Sequence, residues 1–485
     1  MNLDGIPQFM GVRIKRREDP ALITGAAKYT GDLKIENMVY LGLVRSPYAH
    51  ARILEIDASE AEALDGVIAV VTGSEINSTL SAGITVGGVT PGHKDVHTPT
   101  RYALAGDKVC HVGEPVVAVL AENRYVLADA LDLVFVDYDP LDAVSDPEEA
   151  LKDGAPLVHE EAAGNVAFRW ANANGDVDAA FASAAHTVEL RVENQRVVAN
   201  AMEPRAAMAT YSEREGFTLW TSTQIPHIVK AETAKILGID MERMRVIAPE
   251  VGGGFGVKAN IYPEEVLVAW LARKVQRPVR WVATRSEDFI TTAQGRGQID
   301  FVKVAADAEG HITAVDLDII FDSGAYYTRI TPLIPTLTSL MMVGVYQIPN
   351  IRSNVTGVFT NKLASEPYRG AGRPEGIFLI ERAVNALAAK MGIDAAELRR
   401  RNFITPDQFP YRTPTGAKYD SGEYDQALTK LLATAGYDAL RQEQTQRRQN
   451  GGKLLGIGLS SYVEVCGFGP FEMGSVTMNG EGKVT

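Results

Sequence analysis

The chain has 485 residues, which is enough for two to four domains and several hydrophobic cores. A hydrophobic share of 46% and a charged share of 22% are typical of an ordinary globular protein. The formal net charge of −13 argues against a nucleic-acid partner, because such partners are held mainly by Lys and Arg at phosphates.

Targeting and metal-ligand patterns are also missing from the sequence. No stretch approaches the roughly 20 apolar residues that span a bilayer, and residues 1–11 lack the layout of a secretory signal, which predicts a cytoplasmic protein without a transmembrane segment. The two cysteines, Cys110 and Cys466, belong to no Cys/His cluster with zinc or iron–sulfur spacing. We expect each to be a small buried hydrophobic residue.

Residues 1–145 alternate short apolar runs with turn signals, and a helical pattern covers 121–133. This mixture predicts a compact α+β domain. Charged residues, Pro and Gly over 145–156 predict a connection to the next domain.

The region 160–420 contains two units in which a glycine loop precedes a helix. The first helix is predicted from Pro263, with Glu264 and Glu265 in its first turn and Pro278 after its end. The second follows the loop at 369–376 and ends at Gly392, a plausible C-terminal cap.

The region 424–485 begins with a helical pattern over 424–436 and continues with a predicted strand over 454–465. A further strand, a hairpin turn at Asn479 and Gly480, and the first residues of a returning strand follow. Because a lone strand with part of its partner is not stable by itself, we expect this last domain to be incomplete.

The first loop, 251-VGGGFGVKAN-260, is not a standard phosphate cradle. Val257 occupies the sixth position of the dinucleotide fingerprint, and Ala259 stands where a Walker loop needs Ser or Thr. Bare glycine backbone before a helix, together with the flat ring of Phe255, suits an anionic planar cofactor. A tight structural turn explains this loop equally well by itself.

The second loop, 365-SEPYRGAGRPEG-376, adds two arginines whose guanidinium groups suit oxyanions, Arg369 and Arg373. An isolated Arg-Gly run is more often a surface turn. Two glycine loops that each precede a helix in one chain nevertheless favour a shared anionic ligand.

Together the motifs 252-GGGFGVK-258 and 367-PYRGAGRPE-375 resemble the molybdenum hydroxylase family, which includes xanthine dehydrogenase, aldehyde oxidase and the large subunit of aerobic carbon monoxide dehydrogenase. Further stretches resemble the family in the same order along the chain: 12–33, 45–53, 113–122, 136–141, 175–181, 202–206 and 222–227. The ordered set is far more specific than any one piece.

The resemblance implies an α+β fold with an N-terminal α/β hammerhead domain over 1–145, followed by mixed α+β molybdopterin-binding domains. The first of these is assigned to 160–420 and an incomplete second one to 424–485. Molybdenum bound to molybdopterin cytosine dinucleotide is the implied cofactor.

The resemblance also implies where the cofactor is bound. Phe255 and Arg369 are expected next to molybdenum through their backbone groups, and Gln195 is a candidate residue near the metal. The implied cofactor-binding residues are Gly253, Gly254, Phe255, Gly256, Arg369, Gly370, Ala371, Gly372 and Arg373.

The implied reaction hydroxylates an electron-poor carbon with oxygen derived from water, assisted by a glutamate base. Electrons leave through iron–sulfur clusters and FAD on partner subunits. The family's base lies beyond the region that residue 485 reaches, so this chain alone is expected to be inactive. Either further residues or a separate chain would complete the molybdopterin domain.

Three departures from the family pattern bear on the substrate, which is expected to be a small molecule. Ala259 and Leu337 stand where xanthine-specific members have Glu and Arg, and Gly370 stands where copper-containing carbon monoxide dehydrogenases have Cys. An N-heteroaromatic compound or an aldehyde is therefore the expected substrate. The alternatives are a form-II carbon monoxide dehydrogenase-like oxidoreductase of another substrate class and a non-catalytic scaffold or fragment.

Overall fold

A computed structural model of the chain describes residues 12–84, 92–465 and 474–484. Residues 1–11 and Cys466 lie outside these ranges. Cys110 is buried, as predicted, and burial raises the pKa of its thiol to about 12. No helix within the described ranges combines the length and the apolarity required to cross a membrane.

The strands are β1 (Val39–Arg45), β2 (Ala51–Asp57), β3 (Val67–Thr72), β4 (Lys108–Val109), β5 (Pro115–Ala121), β6 (Phe135–Pro140), β7 (Val166–Asn174), β8 (His186–Asn194), β9 (Ala206–Ser212), β10 (Gly216–Thr221), β11 (Met244–Ile247), β12 (Val279–Val282), β13 (Gln298–Ala306), β14 (Ile312–Gly324), β15 (Asn350–Phe359), β16 (Tyr411–Arg412) and β17 (Lys418–Tyr419).

The α-helices are α1 (Asp19–Ile23), α2 (Ser59–Ala63), α3 (Gly73–Ile76), α4 (Arg124–Asp132), α5 (Pro147–Ala150), α6 (Val177–Ala182), α7 (Pro226–Ile236), α8 (Pro263–Val275), α9 (Arg285–Thr291), α10 (Leu333–Met341), α11 (Arg373–Met391), α12 (Ala395–Asn402), α13 (Tyr424–Ala435) and α14 (Tyr437–Gln449).

A seven-stranded sheet combines three strands from residues 39–121 with four strands from residues 206–282, in the order β11-β10-β9-β12-β1-β5-β3. The junction is the parallel pair of β1 and β12, where Val39 lies opposite Val279. Helix α8 packs on this sheet and places the first glycine loop at its N-terminal end. The predicted domain boundaries at 145, 160, 420 and 424 stay predictions, although this sheet contains strands from both sides of residue 145.

A five-stranded sheet in the order β7-β15-β14-β13-β8 forms the second large core. Helix α11 packs across β8 and β13 and buries an apolar face that includes Ile380, Val384 and Leu387. Because α11 begins at Arg373, this packing also positions the second glycine loop, which directly precedes the helix.

The helices predicted after the two loops are confirmed. Helix α8 begins at Pro263 with Glu264 and Glu265 in its first turn, and α11 ends at Gly392 with a φ of 69°. The predicted helix over 424–436 is also present as α13, but α14 after it was not predicted.

The strand predicted over 454–465 is wrong as a sheet element, because these residues pair with no other strand among the described residues. A strand needs a neighbour to receive its backbone hydrogen bonds, and the amino-acid pattern cannot supply one. The predicted hairpin near Asn479 is reduced to one bridge between Met478 and Val484 that encloses a turn.

Candidate functional site

The first glycine loop is held in place by a glutamate side chain that is distant in the sequence. One carboxylate oxygen of Glu203, Oε2, accepts a hydrogen bond from the Gly252 N–H at 2.8 Å and another from Lys258 Nζ at 2.9 Å. The Glu203 N–H donates to the Gly252 carbonyl at 3.1 Å. Burial lowers the pKa of Lys258, and Glu203 opposes this shift. Lys258 is therefore a structural clamp and does not point to a ligand.

Gln224 also contacts the loop, and like Glu203 it was not among the site residues predicted from the sequence. Its side-chain oxygen accepts the Gly256 N–H at 2.9 Å, and a Cβ on Gly254 would overlap its amide. Its side-chain nitrogen has no hydrogen-bond partner among the described residues. The signal was present in 222-STQIPH-227, a stretch that resembles the family.

The two glycine loops meet through their backbones. The Arg369 N–H donates to the Phe255 carbonyl at 2.8 Å, and the Arg369 guanidinium carbon lies 6.0 Å from the centre of the Phe255 ring. A Cβ on Gly256, whose φ is 103°, would overlap the Pro367 carbonyl oxygen. Only glycine permits this close approach.

Two carbonyl groups of the second loop are held by one arginine side chain. Arg296 donates to the Tyr368 carbonyl at 2.6 Å and to the Arg369 carbonyl at 3.0 Å, and lies 3.5 Å from Glu375. The following three residues, Gly370 to Gly372, all have positive φ values, of 105°, 43° and 83°. Ala371 is the only one of the three that carries a Cβ in this strained region.

Three consecutive amides of the first loop have no hydrogen-bond partner in the part of the chain that the structure describes. The N–H groups of Gly253, Gly254 and Phe255 make no hydrogen bond with any other described residue, whereas their neighbours Gly252 and Gly256 do. The Phe255 side chain beside them is 41% exposed. Successive free N–H groups at a backbone bend form a concavity that attracts anions.

The other predicted site residues have different surroundings. Arg373 donates to the Gly370 carbonyl at 2.5 Å and forms an ion pair with Glu464, so its guanidinium is engaged within the protein. Gln195 lines a separate polar cavity of about 280 Å³ with Arg196 and Asp322. No hydrogen bond among the described residues joins the Gln195 side chain to either loop, and its role near the metal stays a prediction.

A buried charge cluster supports the start of α8 beneath the first loop. Burial opposes the ionisation of Glu264, but Arg205 and Arg45 outweigh it and lower the pKa of Glu264 to about 2. Burial raises the pKa of the adjacent Glu265 to about 7, although the Tyr262 N–H and the Thr221 hydroxyl both donate to it.

The second loop carries a buried carboxyl of its own, Glu366. Its side chain accepts a long hydrogen bond of 3.4 Å from the Thr331 hydroxyl, and no ion pair reaches it among the described residues. Burial raises its pKa to about 8, against the Thr331 hydrogen bond and the more distant Arg329 and Arg101.

Comparison with known proteins decides the family. The model of the molybdopterin cofactor-binding domain matches residues 158–403, which is half of the chain. The α/β hammerhead domain of aldehyde oxidase and xanthine dehydrogenase matches residues 24–142. The chain belongs to the molybdenum hydroxylase family. The predicted fold class, an α/β hammerhead domain followed by a mixed molybdopterin-binding region, is thereby confirmed.

Individual members of the molybdenum hydroxylase family match nearly the whole chain. The nicotine 6-hydroxylase large subunit of Paenarthrobacter nicotinovorans is 37% identical over 94% of this chain and 56% of its own length. The carbon monoxide dehydrogenase large chain of Hydrogenophaga pseudoflava is 36% identical over 96% of this chain and 59% of its own length. This chain thus spans less than two thirds of the length of each of these two large subunits.

A solved structure agrees with the same assignment. Quinoline 2-oxidoreductase from Pseudomonas putida 86 superposes with a TM-score of 0.85 and 34% identity, over 90% of this chain and 56% of that one. The chain is therefore of the molybdopterin-binding large-subunit type of these molybdenum oxidoreductases.

Proposed function

We propose that this chain is part of a molybdenum hydroxylase that hydroxylates an electron-poor carbon of an N-heteroaromatic compound or an aldehyde with oxygen derived from water. The observation that carries the proposal is the row of free amides at Gly253, Gly254 and Phe255 where the two glycine loops meet. The oxo and dithiolene groups of a molybdenum–pterin cofactor are electron-rich, and such donors suit them.

The residues at this point are compatible with the cofactor. The three amides and the side-chain nitrogen of Gln224, which has no partner among the described residues, would hold its electron-rich atoms, while Gly256 lets the two loops that surround this point approach each other closely. The exposed Arg369 guanidinium adds positive charge nearby. When bound, this group supplies a water-derived oxygen and accepts two electrons.

The chain's own side chains would orient a planar substrate and exclude water. The half-exposed Phe255 ring offers a flat apolar wall. Leu337 is buried where α10 meets the second loop. The two segments are in close contact there, because a Cβ added to Gly372 would lie 2.8 Å from the Cβ of Leu337. Ala371 has a side chain too small to narrow the space beside it.

The substrate class follows from these residues and from the relatives. The nicotine hydroxylase and the quinoline oxidoreductase are named for N-heteroaromatic compounds, which supports this class for the present chain. Ala259 and Leu337 are uncharged, so they provide neither the carboxylate nor the guanidinium group that xanthine-specific members have at these two positions. The 36% identity to a carbon monoxide dehydrogenase keeps a form-II type of that enzyme as the second candidate, but Gly370 offers no thiol for copper.

The remaining elements of the proposal concern the part of these relatives that the present sequence does not span. We infer that the polypeptide corresponding to the unmatched part of the relatives supplies a glutamate base and binds the cytosine dinucleotide of the cofactor. Iron–sulfur and FAD subunits would receive the electrons, in the cytoplasm.

The test uses the complex purified from its native host through a tag on this chain. We expect molybdenum by elemental analysis and incorporation of ¹⁸O from labelled water into hydroxylated quinoline, nicotinate or benzaldehyde. Turnover of xanthine or carbon monoxide alone would overturn the substrate class. A folded complex without molybdenum would instead favour the non-catalytic scaffold.

A variant of the site itself sharpens this test. Phe255→Ala removes the apolar wall but keeps the backbone amides, so we expect molybdenum to be retained while KM for quinoline rises about tenfold or more. Phe289→Ala, which truncates another Phe that is also 41% exposed, is the matched control. Unchanged kinetics in Phe255→Ala would show that the ring is merely structural.

A further inference from the structure

Arg101 is a buried arginine without a counter-charge among the described residues. It is 6% exposed, and two other arginines are buried to a similar degree, Arg205 at 4% and Arg399 at 0%. Arg205 and Arg399 each form an ion pair with a glutamate and several hydrogen bonds. The Arg101 side chain forms neither with any described residue, and its Nε is enclosed. Because a guanidinium in a protein is always charged, burying one without an anion is unfavourable, and Arg101 is suited to bind an anion from outside the chain.

The Arg101 guanidinium lies over an aromatic ring. Its central carbon is 5.7 Å from the centre of the Tyr326 ring. The carboxylate beside that ring is already engaged, because Glu114 accepts the Tyr326 hydroxyl at 2.5 Å with Oε1 and the Cys110 N–H at 2.6 Å with Oε2. A guanidinium over the face of a ring keeps its N–H groups, which lie in its own plane, for a planar oxyanion. The surroundings of Arg101 thus favour a carboxylate as the missing partner.

A second arginine, Arg329, belongs to the segment 325–332, which joins β14 to α10. It is partly buried and forms no hydrogen bond or ion pair with any residue that the structure describes. The same segment is tied to the second glycine loop, because the Thr331 hydroxyl donates to the Ser365 carbonyl at 3.1 Å. This connection holds Arg329 close to the second loop.

Both guanidinium groups act on a carboxyl of the second loop, Glu366. Burial raises the pKa of Glu366 to about 8, against the Thr331 hydrogen bond and the positive charges of Arg329 and Arg101. Glu366 is therefore mostly protonated at neutral pH and neutralises neither arginine. Two positive charges thus lie beside the second loop, and no carboxylate of the described residues pairs with them.

We propose that Arg101 and Arg329 bind a carboxylate group of the substrate, which narrows the substrate class to N-heteroaromatic carboxylates. This inference rests on the proposed function and adds the group by which the substrate is recognised. A carboxylate matches the donors of a guanidinium with two parallel hydrogen bonds, and its charge offsets the cost of burying Arg101. The two arginines are specificity-determining residues in this proposal and take no part in the transfer of oxygen.

The position of Arg101 relative to both loops argues for a substrate group as its partner. Burial raises the pKa of Tyr262, and the charges of Arg205 and Arg101 oppose this shift. The Tyr262 hydroxyl donates to the Val257 carbonyl of the first loop at 2.7 Å. Arg101 therefore lies close to the supports of both loops. A planar substrate whose ring contacts Phe255, where the loops meet, would present its carboxylate to this side of the site.

The first experiment measures kcat/KM of the native complex for nicotinate and for nicotinamide, which has the same ring and nearly the same size but no charge. We expect a preference for nicotinate of at least about tenfold, which Arg101→Met and Arg329→Met should each reduce at least about fivefold, mainly through KM. Arg214→Met, at an exposed arginine that also has no partner among the described residues, is the control and should keep the preference. Equal kcat/KM for the two compounds in the unaltered complex, or a preference that survives in both variants, would overturn the proposal.

Thermal unfolding of the same variants separates substrate recognition from a structural role. Arg101→Met removes a buried charge that has no partner in the described chain, so the midpoint should rise or fall by no more than about 1 °C. Arg205→Met breaks a buried ion pair and should lower the midpoint clearly. A fall in Arg101→Met as large as in Arg205→Met would show that Arg101 supports the fold, and this result would overturn the proposal.

Binding without turnover distinguishes a failure of this inference from a failure of the proposed function. Excess nicotinate should raise the unfolding midpoint of the unaltered complex by about 2 °C or more and leave that of Arg101→Met unchanged, whereas nicotinamide should raise neither. An equal rise with inorganic phosphate would overturn the assignment to a carboxylate. Hydroxylation of quinoline without any effect of nicotinate would refute the carboxylate site and leave the proposed function standing. A nicotinate effect that requires Arg101, in a complex without molybdenum, would do the reverse.

Discussion

The two glycine loops meet at one point but are held in opposite ways. The first is fixed by side chains that take up its outer amides, Glu203 at Gly252 and Gln224 at Gly256, and the three amides between them have no partner among the described residues. In the second, one side chain, that of Arg296, takes up two carbonyl groups, and the amides of Ser365, Glu366 and Arg369 are also hydrogen-bonded. The first loop therefore presents hydrogen-bond donors, the N–H groups of residues 253–255, and the second loop packs against it.

The loops also differ in how their buried ionisable groups are balanced. Lys258 of the first loop forms an ion pair with Glu203 at 2.9 Å. Glu366 of the second loop has no ionic partner within the described residues and has a pKa raised to about 8 by burial. We expect the first loop to depend on a charge pair and the second to depend on pH.

The largest effect is expected from breaking the charge pair in the first loop. Lys258→Met leaves Glu203 partly buried without its partner, which should lower the free energy of unfolding by about 3–5 kcal/mol in urea denaturation at pH 7. The double variant Glu203→Gln with Lys258→Met removes both charges and should lose less. A loss below about 1 kcal/mol in the single variant would show that the pair does not hold the loop.

The next effect tests the close approach of the two loops. Gly256→Ala should lower the free energy of unfolding by about 3 kcal/mol, because it combines a positive φ with an overlap at the Pro367 carbonyl. Gly416 has almost the same φ, 102°, with nothing within 4 Å, so Gly416→Ala isolates the backbone strain and should lose only about 1 kcal/mol. Equal losses in the two variants would mean that the loops are not in tight contact.

A smaller effect is expected at the buried carboxyl of the second loop. The folded-state pKa of Glu366 lies above its unfolded value of about 4.3, so the group binds more protons when folded and its contribution to stability falls as pH rises from about 4.5 through 8. Glu366→Gln should therefore be more stable than the unaltered chain by roughly 2 kcal/mol at pH 8.5, and by less at pH 5. Thermal unfolding at both pH values measures this difference, and a difference independent of pH would contradict the assignment.

The smallest effect concerns the clamp of the second loop. Arg296→Lys keeps the charge near Glu375 but cannot reach both carbonyls, so we expect a loss of about 1.5 kcal/mol in urea denaturation. Arg245→Lys, at an exposed position in β11, is the control and should change the stability by less than about 0.5 kcal/mol. Equal free energies of unfolding of the two variants would show that Arg296 does not stabilise the second loop.

The sequence by itself determined the local elements of this protein and its family. Helix α8 was predicted because Pro263, two acids and a basic last turn are start and stop signals that act within a few residues. Helix α11 and Gly392 were predicted for the same reason. The two glycine motifs, 252–258 and 367–375, can be recognised in the sequence because a close approach of two backbone segments requires glycine at fixed positions. Their resemblance to the motifs of the molybdenum hydroxylase family indicated the family.

Only the tertiary structure decided how the segments meet, because contacts between distant residues leave no local signal. Glu203, Gln224 and Arg296 became part of the site through folding, and none was a predicted site residue, whereas the predicted Gln195 lies at another cavity. The segment 454–465 shows the same division. Its alternation of side chains was present in the sequence, but a strand also requires a neighbour for its backbone hydrogen bonds, and its position is fixed only by the fold.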